Sequence, residues 1–202
     1  MPDIKDHINI KTRWLLLRAR ISLPVLLSRY DETKVVSIIA AINGAISICA
    51  LGIIAWLTSL PLIFPALGPS SFILFSAPLS RAATPRNVIT GHITCLVIGF
   101  SVWNLLSLLA GHDISPQIHS WWLYASASVA LGLSCLILVR INCPHPPACA
   151  SSLVVALGMV TNPAELLIMA AAIVWLAMQA VFLNRFAGIN VPLWNARGHN
   201  CK

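Results

Sequence analysis

The stretch NCPHPPACASS, Asn142 to Ser152, holds groups that could do chemistry in an unusual setting. His145 stands between Pro144 and Pro146, Pro147 follows at once, and Ser151 and Ser152 close the stretch. Imidazole and hydroxyl groups can donate to an anion or pass a proton. Prolines remove backbone donors and drive the residue before them out of helical conformation. Cys143-Pro144-His145-Pro146 is therefore expected to be extended, with a helix starting near Pro147 and running towards Gly158. The first N–H groups of such a helix lack partners within it, and with the helix dipole they form an end that favours anions. Ser70 and Ser71 follow Gly68-Pro69 in a similar way. Two such ends meeting in a cavity at the membrane midplane would hold a small anion without a permanent buried charge.

The candidate anion-binding residues are thus Gly68, Ser70, Ser71, His145, Pro146, Pro147, Ser151 and Ser152, joined by Arg86 and His92. His145 has two readings: a donor or proton carrier at the site, or a structural histidine bonded to a neighbouring carbonyl. Arg86 opens a helix, where the dipole disfavours positive charge; it is either an anchor at the headgroups or an attractor of anions to the inner mouth. His92, beside Gly91, is either a functional polar group or an interfacial histidine. Cys143, His145 and Cys149 are conceivable metal ligands, but their spacing fits no strong zinc pattern. No metal or other cofactor is expected.

The elements that must position these residues are membrane elements. The chain has 202 residues, 58% hydrophobic and 9% charged, whereas a soluble domain is about a quarter charged. Between Val35 and Leu183, 149 residues, the formal charges are five: Arg81, Arg86, Asp113, Arg140 and Glu165. Runs of about 20 apolar residues are what a bilayer core of roughly 30 Å requires. Four long runs stand out, roughly 35–59, 88–110, 120–139 and 164–183. Two shorter ones, Pro61–Ser80 and Cys143–Val160, are broken by Pro and Ser.

Arginine and lysine placement chooses between four passes and six, because basic residues favour the cytoplasmic side. Six passes put all 13 basic residues inside, whereas four passes leave 10 of them there. The expected fold is therefore an all-α polytopic membrane bundle. Its six crossings form two inverted three-segment repeats, each with a short Pro/Ser-broken helix in the middle. Thr84-Pro85 and Asn162-Pro163 mark matching helix starts. Residues 1–34 read as a basic amphipathic interfacial segment that meets anionic lipid headgroups, 35–183 as the membrane domain and 184–202 as a cytoplasmic tail. Arginines interleaved with Trp14 and leucines suit headgroups, and no nucleic-acid partner is expected. Small residues four apart, Ala40/Gly44 and Ser126/Ala130/Ser134, permit close helix packing and a homodimer.

CPHPPACASSL resembles the signature of the HPP integral membrane family, named for His-Pro-Pro. ALGPSSFILFSAPLSRAATPRNVITGHI resembles the family's other recognisable block. The likeness covers about residues 35–183, and departs from the usual pattern at Cys149 and Pro69. Some members in cyanobacteria and chloroplast envelopes are linked to nitrite transport. The resemblance thus implies a membrane transporter or channel for a small inorganic anion, with nitrite as the first candidate. A bacterial inner membrane, with both termini cytoplasmic, is the expected location. A sensor or structural subunit is the second reading, and a His/Cys redox protein the third. An enzyme is not expected, because the only carboxylates in the window, Asp113 and Glu165, fall near outer ends.

Overall fold

A computed structural model of the chain describes residues 23–117 and 120–195. Among these residues there are seven α-helices and no strand. They are α1 (Leu23–Leu27), α2 (Glu32–Thr58), α3 (Leu67–Ser76), α4 (Pro85–Ala110), α5 (Trp121–Arg140), α6 (Ala148–Ala156) and α7 (Pro163–Phe186). A 3₁₀ turn, Arg81–Ala83, leads into α4. Helices α2, α4, α5 and α7 are each long and apolar enough to cross a membrane. At 20 to 27 residues they measure about 30–40 Å, the thickness of a bilayer core or more.

Local chemistry sets the helix starts. Thr84 Oγ1 accepts the Asn87 N–H at 3.4 Å, and Asn162 Oδ1 accepts that of Ala164 at 2.9 Å. In both cases proline follows at the first helical position, where its missing N–H costs nothing. Asp31 caps α2 through the Lys34 N–H.

The ends of α5 and α6 share one device. Cys143 N–H donates to Leu138 O at 2.9 Å and Asn142 N–H to Val139 O at 3.1 Å, with Asn142 at φ 54°. This is the Schellman closure, and asparagine is the residue besides glycine that most readily adopts its left-handed position. Gly158, at φ 69°, ends α6 in the same way through Val155 O and Val154 O.

The core gathers around α7, whose Met169, Ile173, Leu176 and Ala180 form one buried stripe at helical spacing. Against it pack Leu67 and Leu74 of α3 and Val88 and Leu96 of α4. Ser126, Ala130 and Ser134 of α5 are fully buried, and Ser126 Oγ donates to Ala156 O at 2.7 Å. The small-residue face expected there does bring α5 against α6. Gly44 likewise lets α2 approach Ser71, since a Cβ at Gly44 would lie 3.0 Å from Ser71 Oγ.

One end of the bundle collects the charges. Arg81 Nη2 donates to Asn142 Oδ1, Arg86 N–H donates to Trp194 O, and Val35 packs on Ile189 and Val191. The starts of α2 and α4 therefore share an end with the finish of α5 and α7. All the basic side chains among the described residues, Arg29, Lys34, Arg81, Arg86, Arg140 and Arg185, lie at or beside those helix ends. Asp113 and Glu165 lie at the other end.

Two boundaries shift. Helix α7 continues to Phe186, three residues past the expected end of the apolar run at Leu183. Helix α3 starts at Leu67, ahead of the expected start after Gly68, because Pro69 sits in the first turn, where no amide donor is needed. Most of the expected interfacial segment, residues 1–22, and the end of the tail, 196–202, lie outside the described residues.

Candidate functional site

The residues between α5 and α6 behave as their prolines dictate. After the turn at Asn142 the chain is irregular through His145, turns at Pro146 and Pro147, and becomes helical at Ala148. Cys143 is tied to α4 by its thiol, which donates to Asn87 O at 3.2 Å. Gly91 leaves room for this turn: a Cβ there would lie 3.3 Å from both Cys143 Sγ and Ala148 Cβ. Further along, a Cβ at Gly99 would sit 2.6 Å from Ser152 O. Only glycine lets α4 and α6 run this close.

That approach brings His92 of α4 against His145. Their Nε2 atoms are 3.2 Å apart, and the rings meet edge to face with centroids 5.0 Å apart. Ser70 Oγ of α3 lies 2.9 Å from His92 Nε2 and 3.2 Å from His145 Nε2. Ser151 Oγ of α6 lies 2.7 Å from His92 Nδ1. His145 Nδ1 faces Ala82 O at 2.8 Å. Ser70, His92, His145 and Ser151 are all fully buried. Ser70 is the fourth residue of α3 and Ser151 the fourth of α6, so the first turns of the two short helices both reach His92.

Protons can be assigned from the partners. A carbonyl only accepts, so His145 Nδ1 carries hydrogen and donates to Ala82 O. In the neutral ring its Nε2 then holds a lone pair. His92 completes the set with hydrogen on Nε2, shared between Ser70 Oγ and His145 Nε2, while Nδ1 accepts from the Ser151 hydroxyl. Ser70 in turn donates to Ala66 O at 2.8 Å. Every buried polar atom of the cluster is satisfied and no net charge is present, which is how polar groups survive in a low-dielectric interior.

Of the expected site residues, Ser70, His92, His145 and Ser151 come together. Ser152 is buried but turns its hydroxyl back to Cys149 O at 2.8 Å. Pro147 is buried as the cap of α6, while Pro146 is exposed. Gly68 and Ser71 line a separate groove between α2 and α3, with Ser37, Ala40 and Phe72. Arg86 stays at the charged end, its guanidinium donating to Asn87 Oδ1 at 3.1 Å.

Two expectations about the chemistry change. The α6 amides are not left free: Ala148, Cys149 and Ala150 donate to His145, Pro146 and Pro147 carbonyls at 3.0–3.1 Å. Tight turns between the prolines satisfy the donors before a ligand can. The cluster is also off centre. His92 is the eighth residue of α4, about 10 Å along a helix of about 39 Å. The turn at Asn142 keeps the chain near the end of α5, so His145 reaches only that depth.

His145 is bonded to a carbonyl, as its structural reading has it, and the same ring is part of the polar cluster. The pairing of two histidines and the role of Ala82 O were not foreseen. A signal for His92 was present: Val88, His92, Cys95, Gly99 and Val102 recur at spacings of four and three, and all five are buried, the pattern of one inward helix face. Among the described residues, no three His, Cys, Asp or Glu side chains are placed to hold a metal ion.

Four apolar spans, two short broken helices and a buried serine–histidine cluster define a polytopic helical membrane protein with a polar centre inside the bundle. The chain belongs to the HPP family: residues 31–192 match the family described as HPP, transmembrane region. Comparison with curated proteins and with solved structures gave no match.

Proposed function

We propose that this protein is a transporter or channel for a small inorganic anion, with nitrite the first candidate, and that the serine–histidine cluster lies on the path. One observation carries the reading: four polar side chains from three separated segments converge, fully buried, where a membrane bundle would otherwise be apolar. Buried polar groups within membranes lean towards function, and short interrupted helices with converging first turns are how transporters build sites inside the bundle. Hydroxyl and imidazole donors suit a small anion. The resemblance of family members linked to nitrite transport points the same way. Asp113 and Glu165 lie far along the bundle from the cluster, which speaks against an enzyme there.

The same reading favours six crossings in two inverted halves, α2–α4 and α5–α7. Residues 143–158 follow α4 from Asn87 to Trp103, since Gly158 abuts Ile114 O and Trp103 Nε1. That distance is about 24 Å, most of a bilayer core. Residues 63–74 similarly run from Gly52 of α2, past Gly44, to Asn184 of α7, whose amide donates to Leu74 O at 3.0 Å.

The test is flux. The protein in liposomes should take up nitrite, nitrate, formate or chloride, and His145→Ala and Ser151→Ala should abolish or sharply reduce it. Absence of flux for all four would move the assignment to a sensor or structural subunit. For topology, Ala83→Cys and Ser115→Cys are placed singly in a cysteine-free background. An impermeant thiol reagent applied outside should label only position 115; labelling at 83 would contradict six crossings.

A further inference from the structure

The two histidines present their Nε2 atoms to each other at 3.2 Å, and their Nδ1 atoms are held by Ala82 O and Ser151 Oγ. We infer that this pair takes up one proton together with the anion, so that transport is electroneutral proton–anion symport and the translocated species is in effect a weak acid. The inference rests on the transport reading above and names its coupling.

The proton count follows from the geometry. In the neutral cluster the four ring nitrogens carry two hydrogens, on His145 Nδ1 and His92 Nε2. The Ser151 hydroxyl donates to His92 Nδ1. When a proton taken up from the medium adds to Ser151 Oγ as the hydroxyl passes its own to Nδ1, His92 can release its Nε2 hydrogen to His145 Nε2. The ring nitrogens then carry three hydrogens. His145 Nε2–H donates to the His92 Nε2 lone pair, His92 Nδ1–H donates to Ser151 Oγ, and His145 Nδ1–H keeps Ala82 O. The contact of Ser70 with His92 Nε2, now a lone pair, persists when the Ser70 hydroxyl turns its hydrogen from Ala66 O to that nitrogen; one proton has been added, and the pair is singly positive. A third ring proton fits and a fourth does not, because both Nε2 atoms would then be donors facing each other.

The surroundings offer that charge no counter-ion. Helix α3 brings no titratable side chain to the pair. The turn before α4 brings Arg81, which is engaged with Asn142, and α4 brings Arg86 and Cys95. The 141–147 turn and α6 bring Cys143 and Cys149, and α7 ends in Arg185, bonded to Val191 O. The carboxylates among the described residues are elsewhere: Asp31 and Glu32 at the exposed start of α2, Asp113 and Glu165 at the opposite end. An uncompensated charge deprived of water is costly. A monovalent anion admitted beside the pair, taking the place of Ser70's direct contacts with the two Nε2 atoms, would balance it, accepting from an imidazole N–H and from the Ser70 hydroxyl turned away from Ala66 O.

The experiment uses the full chain in liposomes containing a pH-sensitive dye, with protein-free liposomes subtracted. An inward nitrite gradient, and separately a formate gradient, should acidify the lumen by one proton per anion. A potassium diffusion potential set by an ionophore should leave the rate unchanged. His92→Gln, which keeps an amide in place of the ring but cannot relay a proton, should lose at least ten-fold of the acidification. Anion flux that follows the imposed potential without acidification overturns the coupling and leaves the transport reading standing, as does wild-type acidification by His92→Gln. No flux of either anion, nor of nitrate or chloride, overturns the transport reading and this inference with it. The wild-type measurement decides the matter even if the variant does not fold.

Discussion

Replacing Gly99 by alanine tests whether α4 and α6 approach as closely as described. The new Cβ would meet Ser152 O at 2.6 Å, Ser152 Cα at 3.0 Å and Val155 Cβ at 3.1 Å. Carbon–oxygen contacts in packed proteins close to about 3.3 Å, so α6 has to retreat by about 0.7 Å. The atoms in the way are backbone and cannot rotate aside. Ser151 is the next residue, and its 2.7 Å bond to His92 would lengthen past good O–H···N geometry. Overpacking costs about 1–3 kcal/mol, and a buried nitrogen left without its donor about as much again. A total near 4 kcal/mol lowers the melting temperature by about 8–16 °C at about 2–4 °C per kcal/mol. Gly132→Ala is the control. Its Cβ meets nothing within 4 Å, and alanine in a helix interior is worth about 0.5–1 kcal/mol over glycine. Intrinsic tryptophan fluorescence of the detergent-solubilised protein, which has seven tryptophans, reads both melts. Equal melting of the two variants would falsify the close approach and with it the geometry of the cluster.

Three further outcomes are expected. Ser151→Ala leaves His92 Nδ1 buried without a donor and should destabilise by about 1–3 kcal/mol, measured in the same melt, whereas Ser152→Ala, which removes only a local bond to Cys149 O, should cost less. Gly158→Ala should fail to accumulate as a folded monodisperse protein in size-exclusion chromatography, because its φ is 69° and a Cβ would lie 2.1 Å from Ile114 O. Maleimide labelling in detergent, read by mass spectrometry of peptides, should modify Cys49 and Cys135, which are exposed, well before Cys95 and Cys143, which are buried.

The spans were legible because hydropathy and length decide them. The four runs read from the sequence differ from α2, α4, α5 and α7 by three residues or fewer at each end. Thr84-Pro85 and Asn162-Pro163 start helices by a local rule that tertiary packing does not override. The end of α6 near Gly158 was legible for the same reason. The meeting of Ser70 with His92 and His145 was only half legible. The residues were marked as polar groups in apolar company, but their mutual distances depend on how near α4 and α6 lie. Gly91 and Gly99 set that spacing, and a glycine within a membrane helix does not announce which neighbour it admits. The amides that open α6 are not free for an anion because proline turns there bond their own carbonyls. That depends on dihedral angles that residue types alone leave open.

The contact between Arg81 and Asn142 has a mechanical meaning. It joins the turn before α4 to the turn after α5 at an exposed position, and the partly buried bond from His145 to Ala82 O joins the same two turns a short way inward. Moving one turn away from the other on the arginine-rich side means releasing both, and the Cys143–Asn87 bond beside them. An exposed side-chain bond gives up about 1 kcal/mol or less and a buried one somewhat more.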